Sequence, residues 1–339
     1  MKAIVYAKYG PPSVVMLADV PTPTPSSHEV LIRIHATTVT MGDYRARSLD
    51  LPGGFGLFGR PVFGLFGPRQ PILGTELAGV IEAVGSAVTR FEAGDQVFAF
   101  TGASYGAHAE YRTMAEEGLI ARKPANLSFE EAATLSFGGM NALTFLRDKA
   151  GIRRDDSVLI VGASGGVGTA AVQIAKHFGA KVTGVCSSAN LELVRSLGAD
   201  EVIDYTREDF AQARETYDII LDTTGTAPLA RCENALKHGG RLVAVQGSLA
   251  QALGLERPSK ASGKKVIAGV AAMKVDDMQL LARLAESGEL KPVIDRCYPL
   301  ANAAEAHAYV DTGHKRGSVV LSVREKNRSG SEKSTVAIH

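Results

Sequence analysis

Cysteine is scarce in this chain. Cys186, Cys232 and Cys297 are the only three, they stand far apart and none belongs to a C-x-x-C, which argues against a disulfide framework. An excess of either charge is missing too. Lysine and arginine number 37 against 36 acids, a formal net charge of +1, so there is no electrostatic footprint for nucleic acid or an anionic membrane. No uninterrupted apolar run reaches about 18 residues, so no spanning helix is expected. The opening MKAIVYAKYG has neither the apolar core nor the A-x-A site of a secretory signal. Apolar residues make up 45% and charged residues 22% of 339 residues, an ordinary globular balance. About two domains in a cytoplasmic enzyme are expected.

What the chain does have is a glycine cluster in Val158 to Ala180, VLIVGASGGVGTAAVQIAKHFGA. Val158–Val161 is the short apolar run of a buried parallel strand. Gly162, Gly165, Gly166 and Gly168 follow, and Ala170, Ala171, Ile174, Ala175 and Phe178 recur at helical spacing. Strand, glycine turn and helix make a phosphate site: side chains would hold a diphosphate off the backbone, and the helix N-terminus offers unpaired N–H groups. Ala163, Ser164, Gly165, Gly166, Val167 and Gly168 are the expected cradle, an A-x-G-x-x-G form of the dinucleotide fingerprint. The same letters, Gly162 to Gly166, also satisfy G-x-S-x-G. A serine hydrolase using Ser164 with Asp222 and His307 is therefore a rival reading, although such an elbow has no use for Gly168.

The first 120 or so residues read as β, with strands at Ala3–Tyr6, Val30–Ala36, Leu77–Val84 and Gln96–Phe100 and few helical patterns before Phe129. Within them FGLFG occurs twice between Leu51 and Leu73, amid four prolines. Gly and Pro at this density exclude a long helix or a regular strand. The segment reads as an apolar flap over a pocket, as a patch touching membrane or a lipid-like substrate, or as a loop packing on its own domain. Ser128 with Glu131 is a capping box, and a second helix is expected from Asn141 to Lys149. Strands at Lys181–Cys186, Glu201–Tyr205, Tyr217–Thr223, Arg241–Gln246 and Lys265–Val270 then alternate with helices at Leu191–Leu197, Pro228–Leu236 and Asp276–Glu286. With the strand at Val158 they form a doubly wound six-stranded parallel sheet. Its last strand would be a free edge suited to pairing in a homodimer. Val293–Tyr298, Ala301–Val310 and Ser318–Val323 return to β and a short helix.

The second of these strands ends Cys186-Ser187-Ser188-Ala189-Asn190, without the acid that would accept bonds from a ribose 2′-OH. Ser187, Ser188 and Asn190 could donate to a 2′-phosphate instead, with Tyr205 in reach and Arg207 the nearest cation. NADPH is favoured over NADH.

With these residues assembled, the chain resembles a medium-chain dehydrogenase/reductase of the zinc-free quinone oxidoreductase-like branch. The resemblance runs through KAIVYAKYGPP at the start, LGTELAGVIEAVG at Leu73–Gly85, SFGGMNAL at Ser136–Leu143, the glycine turn, LGADEVIDY at Leu197–Tyr205 and HKRGSVVLSV at His314–Val323. It implies an α/β chain in which a Rossmann domain over 125–297 is joined to a GroES-like, β-barrel-type catalytic domain over 1–124 with 298–325. A mobile polar tail is expected over 326–339. Zinc members carry a cysteine near Thr40–Asp43, a G-H-E and clustered cysteines. Here Gly74-Thr75-Glu76 replaces the G-H-E, Gly102–Leu127 holds no cysteine, and His35 and His108 stand alone, so no metal is expected. Without a Lewis acid, hydride delivery to an already electrophilic quinone or α,β-unsaturated carbonyl is the chemistry implied.

The family's cleft motif resembles N-x-x-D. Here Thr40 stands for the asparagine, Asp43 matches and Tyr44 follows. Tyr44 and Tyr105 are the candidate proton or hydrogen-bond donors, with Thr40 beside them. Asp43 is expected to orient neighbours or to pair with Arg45 or Arg47. Asn141 takes the place of a threonine near the nicotinamide, and the backbone at Gly225, Gln246 and Gly247 should face that ring. A protein that binds NADPH as a sensor, assembly factor or structural protein, with little catalysis, is the alternative from another class.

Overall fold

The computed structural model describes residues 1–214, 216–256 and 262–324; the tail expected over 326–339 lies outside them. The strands are β1 Lys2–Val5, β2 Met16–Asp19, β3 Glu29–Val39, β4 Glu76–Val84, β5 Gln96–Phe100, β6 Tyr111–Ala115, β7 Ile120–Arg122, β8 Ser157–Val161, β9 Lys181–Cys186, β10 Glu201–Asp204, β11 Tyr217–Asp222, β12 Leu236–Ala244, β13 Lys265–Ile267, β14 Ile294–Pro299 and β15 Ser318–Ser322. The helices are α1 Met41–Ser48, α2 Gly56–Phe63, α3 Phe129–Ala133, α4 Leu135–Leu143, α5 Gly166–His177, α6 Leu191–Ser196, α7 Leu229–Cys232, α8 Leu249–Ala252, α9 Val275–Glu286 and α10 Ala303–Asp311.

Alternation of strand and helix after residue 156 builds one parallel sheet in the order β10-β9-β8-β11-β12-β13. This is the doubly wound arrangement expected of the glycine-turn half, and β8 lies at its centre, next to the reversal of strand order. The other half forms a mixed sheet, β14-β15-β3-β4-β5-β7, with β6 paired to β3. The chain thus returns: β15 is antiparallel to β3, with Val319 opposite Val39. The boundary expected at 297/298 falls inside β14, a strand of the mixed sheet.

Two helices precede Phe129 where few were expected. Thr40 starts α1 with a reciprocal capping box, its hydroxyl accepting from the Asp43 N–H and the Asp43 carboxylate accepting from the Thr40 N–H. The T-x-x-D spacing is that motif, hidden in a region read as β. Helix α4 begins at Leu135, six residues before the expected Asn141, and runs into a wider turn over Thr144–Lys149. Its Ser136-Phe137-Gly138-Gly139 is tolerated because the glycines buy close approach. An added Cβ at Gly138 would overlap the Gly166 carbonyl, and one at Gly139 would meet Leu281. The core of Phe98, Met140, Leu143, Phe145, Ile160, Ile174 and Leu281 is continuous across both sheets, each such side chain contributing roughly 1.5–3 kcal/mol by burial. The two halves therefore meet over a packed seam, and the cleft opens where that seam ends.

Candidate active site

A cleft of about 1790 Å³ runs between the halves. That is room for a dinucleotide and an acceptor, since a drug-sized ligand needs only roughly 300–1,000 Å³.

One end is the glycine turn. Gly162 sits at φ +81°, and a Cβ on Gly168 would overlap the Gly162 carbonyl and Ala163, so β8 and α5 pack backbone to backbone. Gly165 is the N-cap of the 12-residue α5 and supplies no side chain to it, leaving the first N–H groups of that helix to a ligand. Ser164, Gly165, Gly166 and Val167 face the cleft, while Ala163 is buried behind them. The C-terminal return closes the turn from the other half: the Gly317 N–H donates to the Ser164 carbonyl at 2.7 Å. Lys315 comes with it. Its Nζ would lie 3.0 Å from a Cβ on Gly166, and burial pushes the ammonium down to about 8 against the raising effect of Glu76. Nothing local to the turn announces a lysine that arrives about 150 residues later.

Ser187, Asn190 and Tyr205 line the adjoining corner. Asn190 donates to Ser187 Oγ at 3.1 Å, and its own Oδ1 is buried without a partner, an acceptor waiting for a ligand hydroxyl. Ser188 is not brought to the cleft: its hydroxyl donates to the Asp204 carboxylate. Arg207, also expected there, is exposed and leans on Asp204 at 3.6 Å. The cation that does reach the wall is Arg231, held by Asp209 at 2.9 Å, from a helix two strands further on. Gln246 and Gly247 face the cleft at the end of β12. Gly225 stands just behind, at φ +79° with its N–H on Asp222, and its neighbours Thr224 and Thr226 reach the wall instead. These residues fit a pyridine dinucleotide: an uncapped helix end, a backbone cradle that side chains would fill, and an orphaned buried acceptor beside it.

The other end is built on α1. Thr40 lines it and donates to Asp43 at 2.6 Å. Asp43 also accepts the Thr40 and Gly74 N–H groups, each at 2.8 Å. Its carboxylate is thereby committed to the helix start and pairs with neither Arg45 nor Arg47. Arg47 is buried against Asp311 at 2.6 Å and the Gly10 carbonyl. Tyr44 does not reach the cleft wall; its hydroxyl donates to Asp50, just past the end of the helix. Met41 and Arg45 line the cleft instead, four residues apart and so on one helical face. Tyr105 does line it, with a left-handed backbone at φ +48° and a long contact of 3.5 Å to the Gly42 carbonyl. Burial raises its hydroxyl pKa above the ordinary tyrosine value. Asn141, on α4, faces the cleft and donates to the Phe137 carbonyl at 2.8 Å. Glu76 is fully buried at the cleft floor, accepting from Thr38, from Ser136 at 2.8 Å and from the Phe137 N–H at 2.6 Å. Burial pushes its carboxyl up to about 7.

Leu51–Leu73 forms the outer wall of this end. Leu51, Pro52, Phe55, Phe58, Val62 and Phe63 face the cleft, and the short α2 lies in the segment despite Pro61. The backbone is tied to the nucleotide half by the Leu249 N–H donating to the Gly53 carbonyl at 2.9 Å. The segment also packs on its own domain, with Phe63 against the core of Ile4, Tyr6 and Leu73 and the Tyr9 hydroxyl donating to the Gly64 carbonyl at 2.9 Å.

No hydrogen bond joins Ser164, Asp222 and His307 among the described residues. Asp222 accepts the N–H groups of Thr224, Gly225 and Ala227, while His307 lies buried edge-on to His108 in the other half, ring centroids 5.6 Å apart. No group of three or more His, Cys, Asp or Glu placed to hold a metal occurs among the described residues. His35 stacks on Phe129, and His108 is held by the Thr38 carbonyl at 2.9 Å.

The chain matches two family models, an alcohol dehydrogenase GroES-like domain over residues 26–125 and a zinc-binding dehydrogenase over residues 197–321. It is 35% identical to the 2-methylene-furan-3-one reductase of Solanum lycopersicum, covering 95% of this chain and 79% of that protein. It is 34% identical to the chloroplastic NADPH-dependent alkenal/one oxidoreductase of Arabidopsis thaliana, with the same coverages. Among solved structures, the quinone oxidoreductase from Coxiella burnetii superposes with a TM-score of 0.83 at 30% identity, covering 96% of this chain and 99% of that one.

Proposed function

Because the chain belongs to the medium-chain dehydrogenase/reductase superfamily, in its quinone oxidoreductase-like branch, we propose that it is a zinc-independent NADPH oxidoreductase acting on a quinone or an α,β-unsaturated carbonyl. The observation that carries this is the cleft itself. An uncapped helix end opens at one extremity, and an apolar wall with a few buried polar groups stands at the other.

Bound NADPH supplies a hydride from its nicotinamide C4. The α5 N–H groups and Lys315 would hold its diphosphate, and Asn190 Oδ1 would accept from a ribose hydroxyl. Gln246, Gly247 and Asn141 would bound the nicotinamide. Tyr105 would donate to the acceptor, Thr40, whose one O–H is held by Asp43, would only line the site, and the flap would keep water from it. Tyr44, turned to Asp50, is given no part. Oxidation of NADPH in the presence of 1,2-naphthoquinone, 9,10-phenanthrenequinone or 2-cyclohexenone is the expected result, and no turnover on any of them would overturn the reading.

The corner at Ser187, Asn190 and Tyr205 has no carboxylate on its wall among the described residues, which supports NADPH over NADH, since an acid there would repel a 2′-phosphate. A kcat/KM at least about tenfold higher with NADPH, some 1.4 kcal/mol of discrimination, is expected; equal values would contradict the preference.

Deleting Gly53–Pro68 should raise KM for the tricyclic quinone more than for the small enone, because Phe55, Phe58 and Phe63 face the cleft. An unchanged KM for both would remove the flap from substrate binding.

No helix among the described residues is long and apolar enough to cross a membrane. We further propose a cytoplasmic homodimer joined along β13, which among the described residues pairs in the sheet with β12 alone. Purified protein is expected to scatter light at twice the chain mass and to carry no stoichiometric zinc by emission spectrometry. A monomer would exclude the pairing, and one bound zinc per chain would exclude the zinc-independent route.

A further inference from the structure

Arg45 is a cation without an anion. Its guanidinium lines the acceptor end of the cleft, and burial lowers its pKa. Among the described residues no carboxylate approaches it within ion-pair distance. Arg231, another guanidinium lining the cleft, has Asp209 at 2.9 Å. Asp50 acts on Arg45 through space, together with the Tyr44 and Tyr105 phenols, and that carboxylate is bound to the Tyr44 hydroxyl. A partly dehydrated charge left unpaired is costly, and it is tolerated most readily where an anion is expected to arrive.

The side chain is also held still. Nη2 donates to Gln246 Oε1 at 2.6 Å, and the Gln246 amide is fixed in turn by donating to the Thr223 carbonyl at 2.8 Å. Of the five N–H donors on a guanidinium, one is used in this bond. The bond runs from α1 of the mixed-sheet half to the end of β12 in the parallel-sheet half. It therefore places the cation at the carboxyl ends of the parallel strands, where the reacting end of a dinucleotide lies. The diphosphate is not the missing anion, because the α5 N–H groups and Lys315 already stand at its cradle.

We propose that Arg45 is the electrophilic residue of the acceptor site, donating to the carbonyl oxygen of the enone or quinone. This rests on the function proposed above. When the hydride of NADPH bonds to the β-carbon of an enone, the C=C electron pair shifts and the carbonyl π pair moves onto oxygen. NADPH leaves as NADP⁺, the acceptor gains two electrons, and water protonates the enolate at the α-carbon. The charge on oxygen between these events is the anion that Arg45 lacks at rest. A fixed donor aimed at a charge that develops only during reaction acts on kcat rather than on binding.

The test uses Arg45→Met and Arg45→Lys on the full chain with 2-cyclohexenone. Loss of a single oxyanion donor costs roughly 10²–10³ in kcat, so Arg45→Met is expected to lose about that factor. The KM for enone and the NADPH affinity should be little changed, and Arg45→Lys should recover part of the rate. A binding readout separates this from a structural role: 4-nitrophenol added to the NADP⁺ complex should ionise at lower pH in the wild type than free in solution, and Arg45→Met should remove the shift. An unchanged kcat in Arg45→Met, or a loss confined to enones that carry a carboxylate, would overturn the assignment. If Arg45→Met does not fold, the wild-type phenol titration decides, and no shift there overturns it as well. A wild type that reduces no acceptor contradicts the proposed function instead.

Discussion

Gly165→Asp should leave the protein folded, and slightly more stable, while reducing its affinity for NADPH by about a hundredfold. Gly165 is the N-cap of α5 with extended backbone at φ −81°, ψ 176°, a conformation open to any residue. A Cβ there meets only the Gly162 carbonyl, at 3.5 Å. Aspartate is a preferred N-cap and its charge suits the helix dipole, so a gain of about 0.5 kcal/mol is expected. The same carboxylate takes the N–H groups a diphosphate would use and adds a like charge at contact range. At the effective dielectric of a protein surface that repulsion is worth up to about 4 kcal/mol, and a hundredfold loss corresponds to about 2.7 kcal/mol. Opposite signs on stability and binding are the signature. Thermal melting without ligand and titration of NADPH fluorescence read them separately, and an unchanged affinity would move the nucleotide away from this turn.

Glu76 should give the protein a large pH-dependent stability. Its carboxyl is fully buried and raised to about 7 from 4.5, chiefly by desolvation. The folded chain therefore holds a proton there that the unfolded chain has released. A folded pKa above the unfolded one stabilises most below about 4.5, and that contribution is lost as pH rises through about 7. The shift corresponds to about 3 kcal/mol over that window. Glu76→Gln keeps a hydrogen-bonding amide and removes the titration, so the wild type should lose about that much stability relative to the variant between acid and neutral pH. His307 works in the opposite sense: its buried ring has a lowered pKa and so destabilises as pH falls below 6.5. It is present in both proteins and cancels in the difference. Glu76→Leu is harsher, leaving the Thr38 and Ser136 hydroxyls and the Phe137 N–H without their acceptor, at about 1–3 kcal/mol for each that stays unsatisfied. Chemical denaturation of the three proteins across pH checks both statements; a flat difference between wild type and Glu76→Gln would mean the carboxyl titrates normally.

Legibility in the sequence followed the range of the interactions. The glycine turn is a local device: close backbone packing at Gly168 and the bare N-cap at Gly165 are dictated by residues within seven positions, and the parallel sheet around them follows from alternating patterns. Helix α1 was written just as locally, in the Thr40–Asp43 capping box, but the surrounding β texture masks it. Reading it as a helix changes the site. Residues 41 and 45 then share a face and Met41 and Arg45 reach the cleft, while the Tyr44 hydroxyl is held by Asp50. Ser188 shows a different limit: Asp204 lies on the neighbouring strand, and only strand pairing shows that it captures the hydroxyl. Lys315 and Arg231 arrive from distant segments, and no spacing rule within a window could have brought them to the wall.

The most direct measurement follows the transferred atom. NADPH carrying deuterium in place of the transferred C4 hydrogen, incubated with the protein and 2-cyclohexenone, should yield one deuterium per product molecule at the β-carbon, read by NMR. Product without deuterium at that carbon, or NADPH bound but unconsumed with the enones and quinones named above, would contradict the account.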